Sequence, residues 1–246
     1  MKSIIRCGII KKIHFLLITE TILFLQRMYT ICKKNNAQMS ICKLKMLENV
    51  EKEMIDIKSN TKIVEKMDAR KAIEKHGYIM DYRFRGPCVK LVKREIVLAH
   101  PFPVGRKYGE DAACVYLWMW DCKTIVEVDE VYYYYFQHKD SCTHEEYNGI
   151  RLDNFLTYEE LLDFYNKVNI PDLYVFTLQK YICEMCSGYE ISKLYNKTDL
   201  TNIIRGKIEE VMRNRIHIDS FQTVECREDI IRLYKKYQMK GFFIII

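Results

Sequence analysis

The apolar pattern of this chain changes period partway along, and that change constrains the fold more than any other feature. Up to about residue 145 helical and strand-like spacings are mixed, whereas from Asp153 onward apolar residues recur only at three- and four-residue steps. The later part predicts three helices, over Phe155 to Val168, Leu173 to Met185 and Leu200 to Ile216, with Pro171 as a first-turn residue of the middle one. In the earlier part, residues 20 to 36 carry Leu23, Phe24, Met28 and Ile31 at helical spacing, and Asn35-Asn36 supplies the stop. Met39, Ile41, Leu44 and Met46 then read as a short strand, and the charged stretch from Glu48 to Lys66 as a solvated hairpin or loop. Asp68 is placed to cap a helix from Ala69 to Lys75 that ends near Gly77. The segment from Arg83 to Pro103, with Gly86-Pro87 and two prolines flanking Phe102, cannot be one regular element. A helix from Glu110 to about Asp121 follows, then two strands, one with Ile125, Val126 and Val128 and one from Val131 to Phe136. The fold class expected is α/β, a mixed sheet with flanking helices followed by a helical C-terminal extension, without internal repeats.

A chain of 246 residues that is 49% hydrophobic buries a sizeable core, and only 9 Gly and 4 Pro leave few long loops. Lys and Arg exceed Asp and Glu by 39 to 33, a balance of +6 that suits an anionic membrane surface or a phosphate-bearing substrate. The basic residues are spread along the whole chain without a nucleic-acid module signature, so no nucleic-acid partner is expected. The ten cysteines lie mostly in apolar stretches, the pattern of reduced thiols in a cytosolic protein, and Cys183 and Cys186 fall on one helix without the companions of a zinc site. The apolar run Ile13 to Leu25 follows Lys11 and Lys12 but is interrupted by His14, Thr19, Glu20 and Thr21. It is too short for a bilayer core of about 30 Å and is expected to form a buried strand or helix. The expected location is therefore cytoplasmic, with at most peripheral contact to a membrane.

The one concentrated patch of chemistry runs from Phe102 to Asp111, where a loop containing Gly and Pro delivers Glu110 and Asp111 to the start of a helix. The helix dipole and backbone N–H groups favour an ionised carboxylate there, which is what a general base requires. An ordinary N-terminal capping pair would use the same residues, and both readings stand at this point. Trp118 and Trp120 are of a type that stacks on sugars, although on a helix they serve equally as core residues.

Three motifs agree in order and spacing: Arg83-Phe-Arg-Gly-Pro-Cys-Val-Lys-Leu-Val-Lys-Arg-Glu95, Phe102-Pro through Gly109-Glu-Asp111, and Val126 through the tyrosine run to Gln137-His138 with Asp140-Ser141. Together they resemble the second half of bacterial family-2 glycosyltransferases, over roughly residues 20 to 185. Met28 to Cys42 is similar to the helix and strand that follow that family's D-x-D motif. The resemblance implies a GT-A-like partial domain over 1–145 and a helical extension over 146–246. It implies inverting transfer of a sugar from a nucleotide-sugar donor to a glycan or lipid-linked acceptor, in cell-envelope polysaccharide synthesis. Asp111 would be the general base, Glu110 its neighbour in support, and Lys90, Gly109 and His138 would line the substrate site. The family also uses a divalent cation, Mg or Mn, held by the D-x-D. At the corresponding place this chain reads Phe15-Leu-Leu-Ile-Thr-Glu20, so the donor-binding portion and its metal ligands are expected to be missing. The alternative expectation is a truncated, non-catalytic remnant or interaction module.

Overall fold

The computed structural model describes residues 14–47, 62–78, 82–136 and 152–215. Two compact units emerge. The first comprises residues up to Ala72, Tyr82–His100 and Leu117–Gln137; the second comprises Ile73–Asp81, Pro101–Tyr116 and the chain from His138 on.

The first unit is built on a four-stranded mixed sheet in the order β2-β4-β1-β3, from β1 (Met39–Leu47), β2 (Ile63–Met67), β3 (Lys90–Val92) and β4 (Ile125–Phe136). β1 runs parallel to β4 and antiparallel to β3, while β2 runs antiparallel to β4. Because β1 is a central strand, Met39, Ser40, Ile41 and Cys42 are all buried, not just the alternate residues. Helix α1 (His14–Asn35) turns Met28 and Cys32 inward. It stops as its Asn pair predicts: Asn36 takes φ +50 and the Ala37 N–H closes on the Cys32 carbonyl at 2.9 Å. Short helices α3 (Tyr82–Arg85) and α4 (Arg94–Ala99) break up the proline- and glycine-bearing segment.

Two sequence expectations are corrected here. Residues 125–136 form one strand rather than two, because the acidic run Glu127 to Glu130 is absorbed by an irregularity in the β1–β4 ladder, where Ile41 opposes Glu127 and Lys43 already opposes Val131. Each acid meets a cation: Glu127 pairs with Arg83 at 2.5 Å, Asp129 with Lys43, and Glu130 with Arg27 at 3.5 Å. The end of the charged stretch is also a strand, since β2 is an edge held by backbone pairing, with Met67 its one buried side chain and Ile63 and Val64 exposed. Residues 48–61 of that stretch, and the tip from Gly241 to Ile246, lie outside the described residues.

The chain passes between the units within α2 (Ala69–Tyr78) and α5 (Ala112–Trp120). Asp68 caps α2, its Oδ1 accepting from the Lys71 N–H at 2.8 Å. The helix ends at Tyr78, next to Gly77 as expected, and a Cβ at Gly77 would meet Leu173 at 2.5 Å, so the missing side chain is space taken by the second unit's core. That core lies among α6 (Asp153–Lys167), α7 (Pro171–Leu194) and α8 (Thr198–Asn214), where Phe155, Leu162, Tyr181, Met185 and Ile204 pack together. Tyr181 stacks on Tyr158 at 5.2 Å and donates to Glu159 at 3.1 Å. Asn169 and Asn196, both at φ +55, end α6 and α7 as Asn36 ends α1. Pro171 occupies the first turn of α7. Among the described residues no helix is long and apolar enough to cross a membrane.

This packing predicts that Leu162→Ala, which empties a fully buried site, lowers unfolding free energy by about 2–5 kcal/mol. Leu194→Ala, at a side chain 74% exposed, should change it by no more than about 0.5 kcal/mol in the same urea titration.

Candidate functional site

The loop from Pro101 to Asp111 is tied to α6, and the tie is made by side chains. Arg106 is nearly buried, and its guanidinium grips Glu160 with two bonds of 2.9 and 2.7 Å while also donating to Thr157 Oγ1 at 3.2 Å. The fork geometry matches a carboxylate, and the bond to Glu160 raises the Arg106 pKa above its ordinary value. One residue on, the Lys107 N–H donates to Asp153 Oδ2 at 2.8 Å. Thr157 Oγ1 in turn donates to the Gly109 carbonyl at 3.2 Å. Gly109 takes φ +73 and lies so close to α6 that a Cβ would approach Thr157 Oγ1 to 3.2 Å and Asn154 Oδ1 to 3.3 Å. The loop has no secondary structure of its own, yet it is anchored at three successive points.

The chain then enters α5 through Glu110 and Asp111, both partly exposed. Asp111 starts the helix with its carbonyl, which accepts from Cys114 N at 3.2 Å and Val115 N at 3.1 Å. Its carboxylate does not reach back to the N–H groups two and three residues on, as a capping side chain does. Oδ1 instead accepts from the adjacent Ala112 N–H at 2.7 Å, while the Ala113 N–H is taken by the Gly109 carbonyl at 3.1 Å. Oδ2 has no hydrogen-bond partner among the described residues, nor does the Glu110 carboxylate. The helix therefore begins after the acidic pair and not with it. Chemically, this is a carboxylate fixed by one bond with one oxygen open, able to accept a proton from a hydroxyl brought to it. The neighbouring thiol is no rival: burial, with the charges of Asp111 and Glu110, pushes Cys114 up to about 12, far from a thiolate at neutral pH.

Gly109, Glu110 and Asp111 are thus brought together in the second unit, whereas Lys90 belongs to the first. Lys90 is half-buried, and its ammonium donates to the carbonyls of Arg83 and of Gly86, the latter at 2.5 Å, so it closes the C-terminal end of α3. His138 lies outside the described residues. Trp118 is a buried residue whose indole N–H donates to the His100 carbonyl at 2.7 Å. Cys183 and Cys186 sit three residues apart on α7, the first exposed and the second buried. Sequence reasoning missed Arg106, Asp153, Thr157 and Glu160. The available signal was an arginine inside a Gly- and Pro-bearing loop, which needs an anchor, and an acid-rich first half of α6 able to provide one.

A cavity of about 480 Å³ opens among α6, α7 and α8, lined by Glu159, Asn166, Tyr174, Glu210 and Arg215 among others, and neither Glu110 nor Asp111 lines it. Among the described residues no three His, Cys, Asp or Glu side chains gather in a group that could hold a metal ion.

The anchoring predicts that Arg106→Ala costs about 1–3 kcal/mol, the range for charged hydrogen bonds discounted for the partial exposure of Glu160. Gly109→Ala should cost about 1–2 kcal/mol through its left-handed backbone. Urea titration of both variants checks this, and a double-mutant cycle of Arg106→Ala with Glu160→Ala should return a coupling of about 1 kcal/mol or more.

No protein-family model and no curated protein matches this chain.

Proposed function

We propose that this chain is the acceptor-side part of an inverting glycosyltransferase of GT-A type, with Asp111 as its general base. The observation that carries the reading is the open Oδ2 of Asp111 on an anchored loop at the mouth of α5, where a capping carboxylate would have closed onto the helix. The three motifs between Arg83 and Ser141, and a mixed sheet with a parallel central pair, support the same reading.

In this mechanism Asp111 Oδ2 accepts the proton of the acceptor hydroxyl as that oxygen forms a bond to the anomeric carbon of the sugar. The bond from the anomeric carbon to the nucleoside diphosphate breaks, the diphosphate leaves with the electron pair, and the configuration inverts. Glu110 raises the local negative potential beside the base, and the Arg106 anchor keeps the carboxylate from following the loop. The acceptor is a glycan or a lipid-linked glycan.

A second reading, a non-catalytic interaction module, is favoured by one observation: the cavity among α6, α7 and α8 does not include the acidic pair.

The two readings separate in an assay of labelled sugar transfer from a panel of nucleotide sugars to glycan and lipid-linked acceptors, by the chain alone and with a GT-A donor-binding half supplied. Asp111→Asn should reduce turnover by roughly 10²-fold or more while leaving the melting temperature unchanged, the usual scale for a lost base. Equal turnover in the variant removes Asp111 from the mechanism, and no transfer across the panel leaves the interaction module as the reading.

A further inference from the structure

At one end of the sheet in the first unit, all four strands begin or finish in register. Met39 pairs with both Val92 and Ile125, and Ile125 pairs with Met67. The residues just beyond are stitched together: Gln38 N donates to the Thr124 carbonyl at 3.0 Å, and Lys93 N to the Gln38 carbonyl at 2.9 Å. Around this end stand Lys33 and Lys34 from the last turn of α1, Arg70 and Lys71 from the first turn of α2, Lys93 and Arg94 at the start of α4, and Lys123 before β4. All are exposed. The acids in the same neighbourhood are Asp68, which caps α2, Glu74, one turn beyond Arg70 on α2, Glu95, 3.3 Å from Lys93, and Asp121, 2.7 Å from His100. Elsewhere in the unit the acids of β4 are paired with Arg27, Lys43 and Arg83. Among the described residues of this unit, exposed cations therefore gather at the amino end of the parallel strand pair, not the carboxyl end at which open α/β sheets place small ligands.

We propose that this end of the first unit docks on an anionic lipid surface. The apolar side chains interleaved with the cations select a membrane over a nucleic acid. Leu98 is 60% exposed one helical turn from Arg94 on α4, and Tyr29 is 57% exposed one turn from Lys33 on α1, with Leu25 exposed a further turn away. Aliphatic groups beside lysines enter the boundary between headgroups and acyl chains, whereas a phosphodiester backbone offers them nothing. Five of the seven cations are lysines, point charges suited to a diffuse layer of lipid phosphates rather than forks aimed at bases. This proposal does not rest on the glycosyl-transfer reading.

The test is co-sedimentation of the full chain with vesicles of phosphatidylcholine alone or mixed with phosphatidylglycerol, at low and high salt. Binding is expected only to the anionic vesicles and should weaken with salt. Lys33→Glu, Lys34→Glu, Arg94→Glu and Lys123→Glu combined should weaken it at least about tenfold, since each reversal replaces an attraction to the anionic surface by a repulsion. A control of equal net charge, Lys167→Glu, Lys180→Glu, Lys193→Glu and Arg213→Glu on α6 to α8, should bind nearly as the parent does. Leu98→Ser, which alters no charge, should also weaken binding and keeps the test decisive if the combined variant fails to fold. Equal loss in the control variant, no binding to anionic vesicles, or tighter binding to duplex DNA than to vesicles would each overturn the proposal.

Discussion

The bond between Arg106 and Glu160 is the constraint on which the candidate site depends. Residues 101–111 have no ladder or helix to hold them, and two prolines and two glycines in positive-φ conformations give them shape but no anchor. An arginine fork closing on a carboxylate supplies both direction and distance, because two parallel bonds fix the angle as well as the separation. Lysine in its place would keep the charge and lose the angle. With Arg106 seated, Lys107 N meets Asp153 and Gly109 lies against Asn154 and Thr157, which a Cβ would crowd, so Asp111 arrives at the start of α5 in one position.

A different electrostatic arrangement organises the first unit. Four residues of β4, from Glu127 to Glu130, include three carboxylates, and a strand through the middle of a sheet tolerates them only if each is paired. Arg83, Arg27 and Lys43 provide those partners from α3, α1 and β1, and the ladder bends to let them do so. The β4 acids are thereby neutralised inside the unit and do not offset the exposed cations at the sheet's amino end.

Much of this was legible in the sequence where one physical rule acts alone. Asn36 ends α1, Asp68 starts α2 and Pro171 opens α7 because left-handed backbone, side-chain capping and a missing N–H are local properties. The sequence misled where tertiary pairing overrides local pattern. Asp129-Glu130 reads as a break between two strands until Lys43 and Arg27 are seen beside it, and β2 falls in a stretch that reads as a solvated hairpin or loop because an edge strand needs only its backbone. Glu110 and Asp111 stand out as a pair in the sequence, but the helix begins two residues later than the pattern suggests, at Ala112. The resemblance puts Lys90 at the substrate site, and the fold adds what no sequence pattern carries, that its ammonium donates to two carbonyls at the end of α3. The pairing of Arg106 with Glu160 is not legible in the sequence, which offers an arginine in need of an anchor and several acids on α6 but no shared periodicity to match one with another.

Amide hydrogen exchange in the loop tests most directly whether Asp111 is held by this anchor. In the parent protein the Lys107 and Ala112 N–H groups, bonded to the Asp153 and Asp111 carboxylates, should exchange at least about tenfold more slowly than in an unstructured chain. In Arg106→Lys both should approach the unstructured rate while the amides of α7 stay protected. Unstructured rates at Lys107 and Ala112 in the parent, or protection unchanged by the substitution, would contradict the account.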